Sequence, residues 1–264
     1  MKKLVKKILL RLFDPIAFRL GYKKAETFKV QPSPIVIDNF SKNSLLENFY
    51  SFLKAMDFQP KHIVDVGANH GSWTREALKY FPEAYYILLE PQAHMESSIR
   101  DIMEVNDKVT FHAVGAGSNP GNFKFTLVER DDSCTFILTE DEAKNKGYQQ
   151  VEIPIVQLNH FLPAVNKIVP DIIKIDAEGF DLEVLAGATD YFGITEIFMV
   201  EAGVMAKNIK NTAAAVIQYM DENGYRLMDI TDINRTTKHN ALWLAELVFL
   251  KKNSMMDNLI VSYN

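Results

Sequence analysis

The chain has 264 residues, 47% apolar and 24% charged, and a single cysteine, Cys134. That is enough chain to bury a large core, while one cysteine excludes an internal disulfide framework or a zinc site of several thiolates, so a reducing, cytoplasmic setting is expected. The net charge of −5 is uneven: residues 1–24 carry eight lysines and arginines against Asp14 alone, and the acidic remainder argues against nucleic acid as a general partner, because phosphate binding needs a basic face.

In MKKLVKKILLRLF, Val5, Ile8, Leu9, Leu12 and Phe13 share one helical face, with Lys3, Lys6, Lys7 and Arg11 opposite. Asp14-Pro15 has the form of an N-cap followed by proline at the first position of a second short helix. Arg11 cuts the apolar run too early for a membrane span, and no small-residue cleavage site follows. Two readings stay open. The helix packs on protein with a solvated basic face, or residues 1–24 make peripheral contact with an anionic membrane at its cytoplasmic side. VQPSPIVI is a connector, and residues 44–58 have the pattern of a helix. Residues 1–58 are therefore expected as a helical appendage, 59–252 as the main domain and 253–264 as a tail.

From residue 61 onward, apolar β-branched runs alternate with helical patterns. Strands are predicted at 62–66, 85–90, 109–114, 172–176, 195–200, 225–230 and 244–250, and helices near 71–80, 92–104, 181–188 and 211–223. This is the pattern of a doubly wound α/β fold with a mostly parallel, seven-stranded sheet. Residues 121–127 and 151–157 have the look of extra strands around the charged loop 129–150, a candidate lid.

The turn after the first strand, in HIVDVGANHGSW, lacks the glycines of a dinucleotide fingerprint, since Asn69 and Ser72 stand where two of them would be. Its frame is Asp65, Gly67, Asn69 and Gly71, residue types that tolerate left-handed backbone and let a ligand approach. Asp65 ends the strand as an acceptor for a cationic group. Glu90 ends the next strand, where an acid can accept both hydroxyls of a ribose. Two acids suit a ligand with a ribose and a positive end, such as S-adenosylmethionine, better than a pyrophosphate. A plain strand–helix turn with a surface acid explains the same residues. Further on, IIKIDAEGFDLEVLAGA delivers Asp176 and FMVEAG delivers Glu201 to the carboxyl edge of the sheet, where open α/β folds bind ligands. Counting from Asp176, the sixth and twelfth positions hold Asp181 and Gly187, which rules out an EF-hand.

Together, IVDVGANHGSW, LLEP, IIKIDAEGFDLEVLAGA and FMVEAG, in this order and spacing, resemble the FkbM-type S-adenosylmethionine-dependent methyltransferases. Asp181 stands where the family commonly has glutamate, and His70 where it usually has an aliphatic residue. The resemblance implies a Rossmann-like methyltransferase fold, S-adenosylmethionine as cofactor and methyl transfer to oxygen, in sugar, lipopolysaccharide or polyketide chemistry. It implies a cofactor shell of Asp65, Gly67, Asn69 and Gly71, with Glu90 on the ribose and Asp176 near the sulfonium.

The acceptor, a small molecule or saccharide, must lose a proton as its oxygen attacks. The candidates for the catalytic region are Asp176 first, then Glu201, His70 and His239, which precedes the final strand. Asp176, Glu178 and Glu201 are hard oxygen ligands of the kind magnesium accepts, but a bracing role for Glu178 is preferred and no metal is expected. Cys134 has no basic neighbour in sequence and is expected to pack. Two competing classes remain, a nicotinamide oxidoreductase and a non-catalytic adenosyl-binding scaffold at a membrane.

Overall fold

The computed structural model describes residues 44–165, 169–207 and 209–260. The chain divides into two units, 1–34 and 35–264, and every described residue belongs to the second. The two helices expected within residues 1–24 and the proline-bearing connector lie outside the described residues.

Among the described residues ten strands follow in chain order: β1 (His62–Val66), β2 (Tyr85–Leu89), β3 (Val109–His112), β4 (Gly115–Ala116), β5 (Gly121–Leu127), β6 (Gln149–Val156), β7 (Ile172–Ile175), β8 (Ile197–Gly203), β9 (Tyr225–Arg235) and β10 (Leu242–Lys251). Seven of them form one sheet in the order β3-β2-β1-β7-β8-β10-β9. The neighbours from β3 through to β8 pair in parallel, while β10 is antiparallel to both β8 and β9. The sheet is thus mixed, with β10 the one reversed strand. The cause is local, because β9 and β10 are joined by a turn of six residues and so short a connection forces antiparallel pairing. The two extra strands foreseen in the sequence, β5 and β6, form a separate small sheet with β4, in the order β4-β6-β5.

Helices cover both faces of the large sheet, so its central strands are apolar on both sides. On one face Val64, Val66, Ile173, Ile175, Phe198 and Val200 meet α4 (Leu158–Val165), α5 (Asp181–Ala186) and α6 (Ala213–Glu222). On the other, Ile63, Leu88, Ile172, Met199 and Val248 meet α1 (Leu45–Ala55), α2 (Ser72–Tyr80) and α3 (Glu96–Val105). Helix α1, grouped with the appendage from sequence, buries Phe49, Tyr50 and Leu53 completely in this second core. Each such side chain contributes roughly 1.5–3 kcal/mol of burial, which makes α1 part of the body. Among the described residues no helix is long and apolar enough to cross a membrane.

Register now decides which charges meet. Asp65 pairs with Lys174 across β1 and β7, and Glu201 with Glu246 across β8 and β10. Side chains alternate along a strand, so Asp65, Lys174 and Asp176 share one face of the sheet at its carboxyl edge.

Candidate active site

The turn after β1 is built on backbone proximity. Gly67 has φ of +75°, and a Cβ there would lie 1.8 Å from the carbonyl oxygen of Asp176, so no larger residue fits between the ends of β1 and β7. The N–H groups of Gly67 and Ala68 both donate to the Leu89 carbonyl, at 2.8 and 3.1 Å, which pins the turn to the end of β2. Asn69 is also left-handed, with φ of 47°, and its N–H donates to Glu90 Oε2 at 2.9 Å. The Gln92 N–H donates to Glu90 Oε1 at 2.9 Å. Gly71, left-handed as well, is the N-cap of α2. Glu90 is buried, and burial raises its pKa against the two backbone hydrogen bonds. Each of its oxygens accepts one N–H and keeps acceptor capacity for a ligand hydroxyl.

Glu90 and this turn wall a half-open cavity of about 570 Å³, counted with its open mouth. Val66, Leu89, Val114, Ala116, Phe125 and Phe136 supply apolar walls, and Asp176 and Glu178 close one end. A broader open groove of about 2040 Å³ adjoins it and shares Gly67, Asn69, Asp131, Asp132 and Asp176 with it. The groove is acidic. Glu47, Glu76, Asp131, Asp132, Asp176, Glu201, Asp232 and Glu246 line it, and Lys174 is the one lysine or arginine among the described lining residues.

Lys174 sits at the centre of these charges, only 4% exposed. Its Nζ lies 3.2 Å from Asp176 Oδ2 and 3.4 Å from Asp65 Oδ1, and it donates to the Gly67 carbonyl at 3.4 Å. Burial opposes its charge, but Asp176, Asp65 and Glu246 outweigh that and its pKa is raised. Asp65 also accepts from Thr74 Oγ1 at 2.6 Å and is fully buried. The position read as an acceptor for a ligand's cation is therefore filled from within, by Lys174, and Asp65 lines neither cavity.

The turn after β7 is held by Asp181, whose buried carboxylate accepts from the N–H groups of Ala177 and Gly179 and from Asn211 Nδ2. Glu178, beyond Asp176, has φ of 50°. Asp176, Glu178 and Glu201 bring carboxylate oxygens within 4.8 Å of one another. Crowding has a clear consequence. Burial, then repulsion from Asp176, Asp181 and Asp132, pushes Glu178 up to about 8; burial, then Asp176, Glu178 and Asp181, raises Glu201 still further. A carboxyl group whose folded pKa exceeds its unfolded value stabilises the fold while protonated, and that contribution disappears as pH rises through the folded pKa. Thermal stability of the ligand-free protein is accordingly expected to fall as pH rises from about 4.5 to about 8, and to fall less in Glu178→Gln. Equal slopes in scanning calorimetry of both proteins would contradict this.

Of the four catalytic candidates, Asp176, Glu201 and His70 line the groove. His239 does not. It is exposed in the turn between β9 and β10 and lines neither cavity, because the long hairpin carries it past the sheet edge. Both His70 ring nitrogens are engaged, Nδ1 with Ser98 Oγ at 2.8 Å and Nε2 with Asp131 Oδ2 at 3.0 Å, an arrangement that fits a brace better than a free base. Cys134 packs in the cavity wall, 5% exposed, with its thiol pKa raised by burial. The sequence reading assigned no role to Lys174, Asp131, Asp132 or Glu246. Lys174, alone as a cation inside the apolar run IIKI, was the detectable signal, since a buried ammonium needs carboxylate partners.

A doubly wound sheet with one reversed strand, a glycine turn after β1 and a buried acid after β2 is a Rossmann-like arrangement with its ligand cavity at the carboxyl edge of the sheet. The family model described as "Methyltransferase FkbM domain" matches residues 65–227, and the chain belongs to that family. It is 23% identical over 147 residues to "Methyltransferase 1" of Beauveria bassiana, a match spanning 48% of this chain and 58% of that protein, less than two thirds of the relative's length. Solved structures similar to it include the methyltransferase FkbM from Methylobacillus flagellatus (TM-score 0.45, 14% identity, 71% of this chain and 43% of that one). A putative O-methyltransferase from Klebsiella pneumoniae is similar over 94% of this chain and 96% of its own, with TM-score 0.47 and 15% identity.

Proposed function

We propose that the cavity beside Glu90 takes S-adenosylmethionine and that the protein transfers its methyl group to a hydroxyl oxygen of a saccharide or related polyol lying in the acidic groove. The observation that carries this reading is the seam between the two cavities, where Asp176 belongs to both linings. The cavity fits the cofactor by chemistry: the spare acceptor capacity of buried Glu90 suits ribose hydroxyls, the apolar walls suit an adenine, and the carboxylates at the far end suit a cationic sulfur and ammonium. When bound, the cofactor supplies a methyl group already activated on a sulfonium. The chain's own task is to align the acceptor and take up its proton. Asp176 is placed to orient the hydroxyl at the seam. Glu201, on the groove side, becomes a strong base once deprotonated, because burial and its acidic neighbours raise its pKa, so turnover is expected to rise with pH.

The groove's charge narrows the acceptor. Even with Glu201 protonated and Glu246 partly so, the remaining acidic side chains outnumber the one lysine, repel phosphate groups and tolerate neutral or amine-bearing sugars. The test is calorimetric titration with S-adenosylhomocysteine, then transfer of a labelled methyl group to neutral sugars, amino sugars and sugar phosphates. Binding in the micromolar range and at least about tenfold preference for the unphosphorylated acceptors are expected. A folded protein that binds no S-adenosylhomocysteine would refute the cofactor assignment. Preferred transfer to phosphates would refute the acceptor class.

A further inference from the structure

The loop of residues 128–134 forms one wall of the donor cavity through Asp131, Asp132 and Cys134. Its base is stapled, because Thr126 and Thr135 exchange both backbone hydrogen bonds, at 2.8 and 3.1 Å. Thr135 Oγ1 adds a bond to the Glu178 carbonyl at 2.8 Å. Its tip is held differently. Asp131 reaches across to the opposite wall, where His70 Nε2 meets its carboxylate at 3.0 Å and Gln92 Nε2 donates to its carbonyl at 2.9 Å. Ser98 Oγ, 2.8 Å from His70 Nδ1, fixes the ring from behind. A loop with a rigid base and a tip secured by two side chains can open without unfolding its base.

We infer that His70 and Gln92 are a latch that holds the Asp131 tip closed over the donor cavity and sets the rate at which the cofactor exchanges. His70 is thus a positioning residue that acts through Asp131. The site of closure is the donor cavity as proposed above, but the latch itself can be read without any ligand. Cys134 is the one cysteine in the sequence and lies in the cavity wall, almost fully covered. Its rate of labelling by a small thiol reagent reports how often the loop opens.

The His70–Asp131 pair is about half exposed, 46% and 48%, so its removal has a modest effect. His70→Ala is expected to speed Cys134 labelling about fivefold, and His70→Ala with Gln92→Ala more than about tenfold. Asp131→Ala, which keeps the carbonyl contact to Gln92, should match His70→Ala, and the His70→Ala/Asp131→Ala double variant should be no faster than either single. A His70→Gln variant, whose amide can still donate to Asp131, should recover much of the wild-type rate. Dissociation of S-adenosylhomocysteine should accelerate in the same order. Unchanged labelling in folded His70→Ala, or additive effects of His70→Ala and Asp131→Ala, would overturn the latch. Labelling that follows the expected order but is not slowed by S-adenosylhomocysteine would leave the latch standing and refute the cofactor assignment instead.

Discussion

Lys174→Met is expected to cost on the order of 3–5 kcal/mol of folding stability at neutral pH, the loss typical of removing one partner from a buried ion pair. Methionine matches the length of the lysine stem, so packing changes little and the effect isolates the charge. Fully buried Asp65 would lose its ion-pair partner and Asp176 its nearest cation. Glu246, buried and already pushed up to about 7 by that burial, would lose the lysine that offsets it. These groups can relieve the deficit only by binding protons. The loss measured by urea unfolding should therefore be larger at about pH 8 than at about pH 6. Replacing Asp65 by asparagine in the Lys174→Met background should recover part of it, since an amide keeps the Thr74 contact without the charge. An unchanged unfolding midpoint in Lys174→Met would mean that water reaches these carboxylates and that the centre is not the closed charge cluster described above.

The same residues show how far the sequence was legible. The strand pattern located every strand of the large sheet: β1, β2, β7 and β8 are buried and written as apolar runs, whereas β9 is mostly exposed and only its first half was predicted. Glu90 and Asp176 were legible too, since an acid that closes a buried strand at its carboxyl end has few places to go. Asp65 was misread. In sequence it stands at the same kind of position as Glu90, and only the register that sets it beside Lys174 shows that its charge is satisfied internally. Beyond Asp176 and Glu201 the groove was illegible for a similar reason: Glu47, Asp131, Asp232 and Glu246 come from separated segments, and no local pattern announces that they converge. His239 failed in the opposite way. Its closeness in sequence to the last strand suggested the pocket, but β9 and β10 extend beyond the sheet edge and carry their turn away.

Glu90→Gln is expected to weaken S-adenosylhomocysteine binding about 100-fold, the scale of losing two hydrogen bonds to a charged acceptor. The side chains are nearly the same shape, so the effect lies in polarity. Two backbone N–H groups, from Asn69 and Gln92, point at the two carboxylate oxygens. A glutamine can accept only one of them and must turn its own amide donor toward the other. The turn after β1 then loses a bond that holds Asn69 in its left-handed conformation, and the cavity loses an acceptor for the ribose at the same time. Alanine would open a void as well, and so would confuse the two causes. The wild-type protein provides an internal check, because burial raises the pKa of Glu90. A raised pKa means that the proton arrives earlier as pH falls, and protonated Glu90 offers fewer lone pairs, as glutamine does. Wild-type affinity should therefore begin to weaken at a higher pH than an ordinary carboxylate would allow as the solution is acidified, whereas Glu90→Gln should stay nearly flat. Parallel pH profiles for the two proteins would mean that some other group governs binding and that Glu90 shapes the turn without touching the ligand.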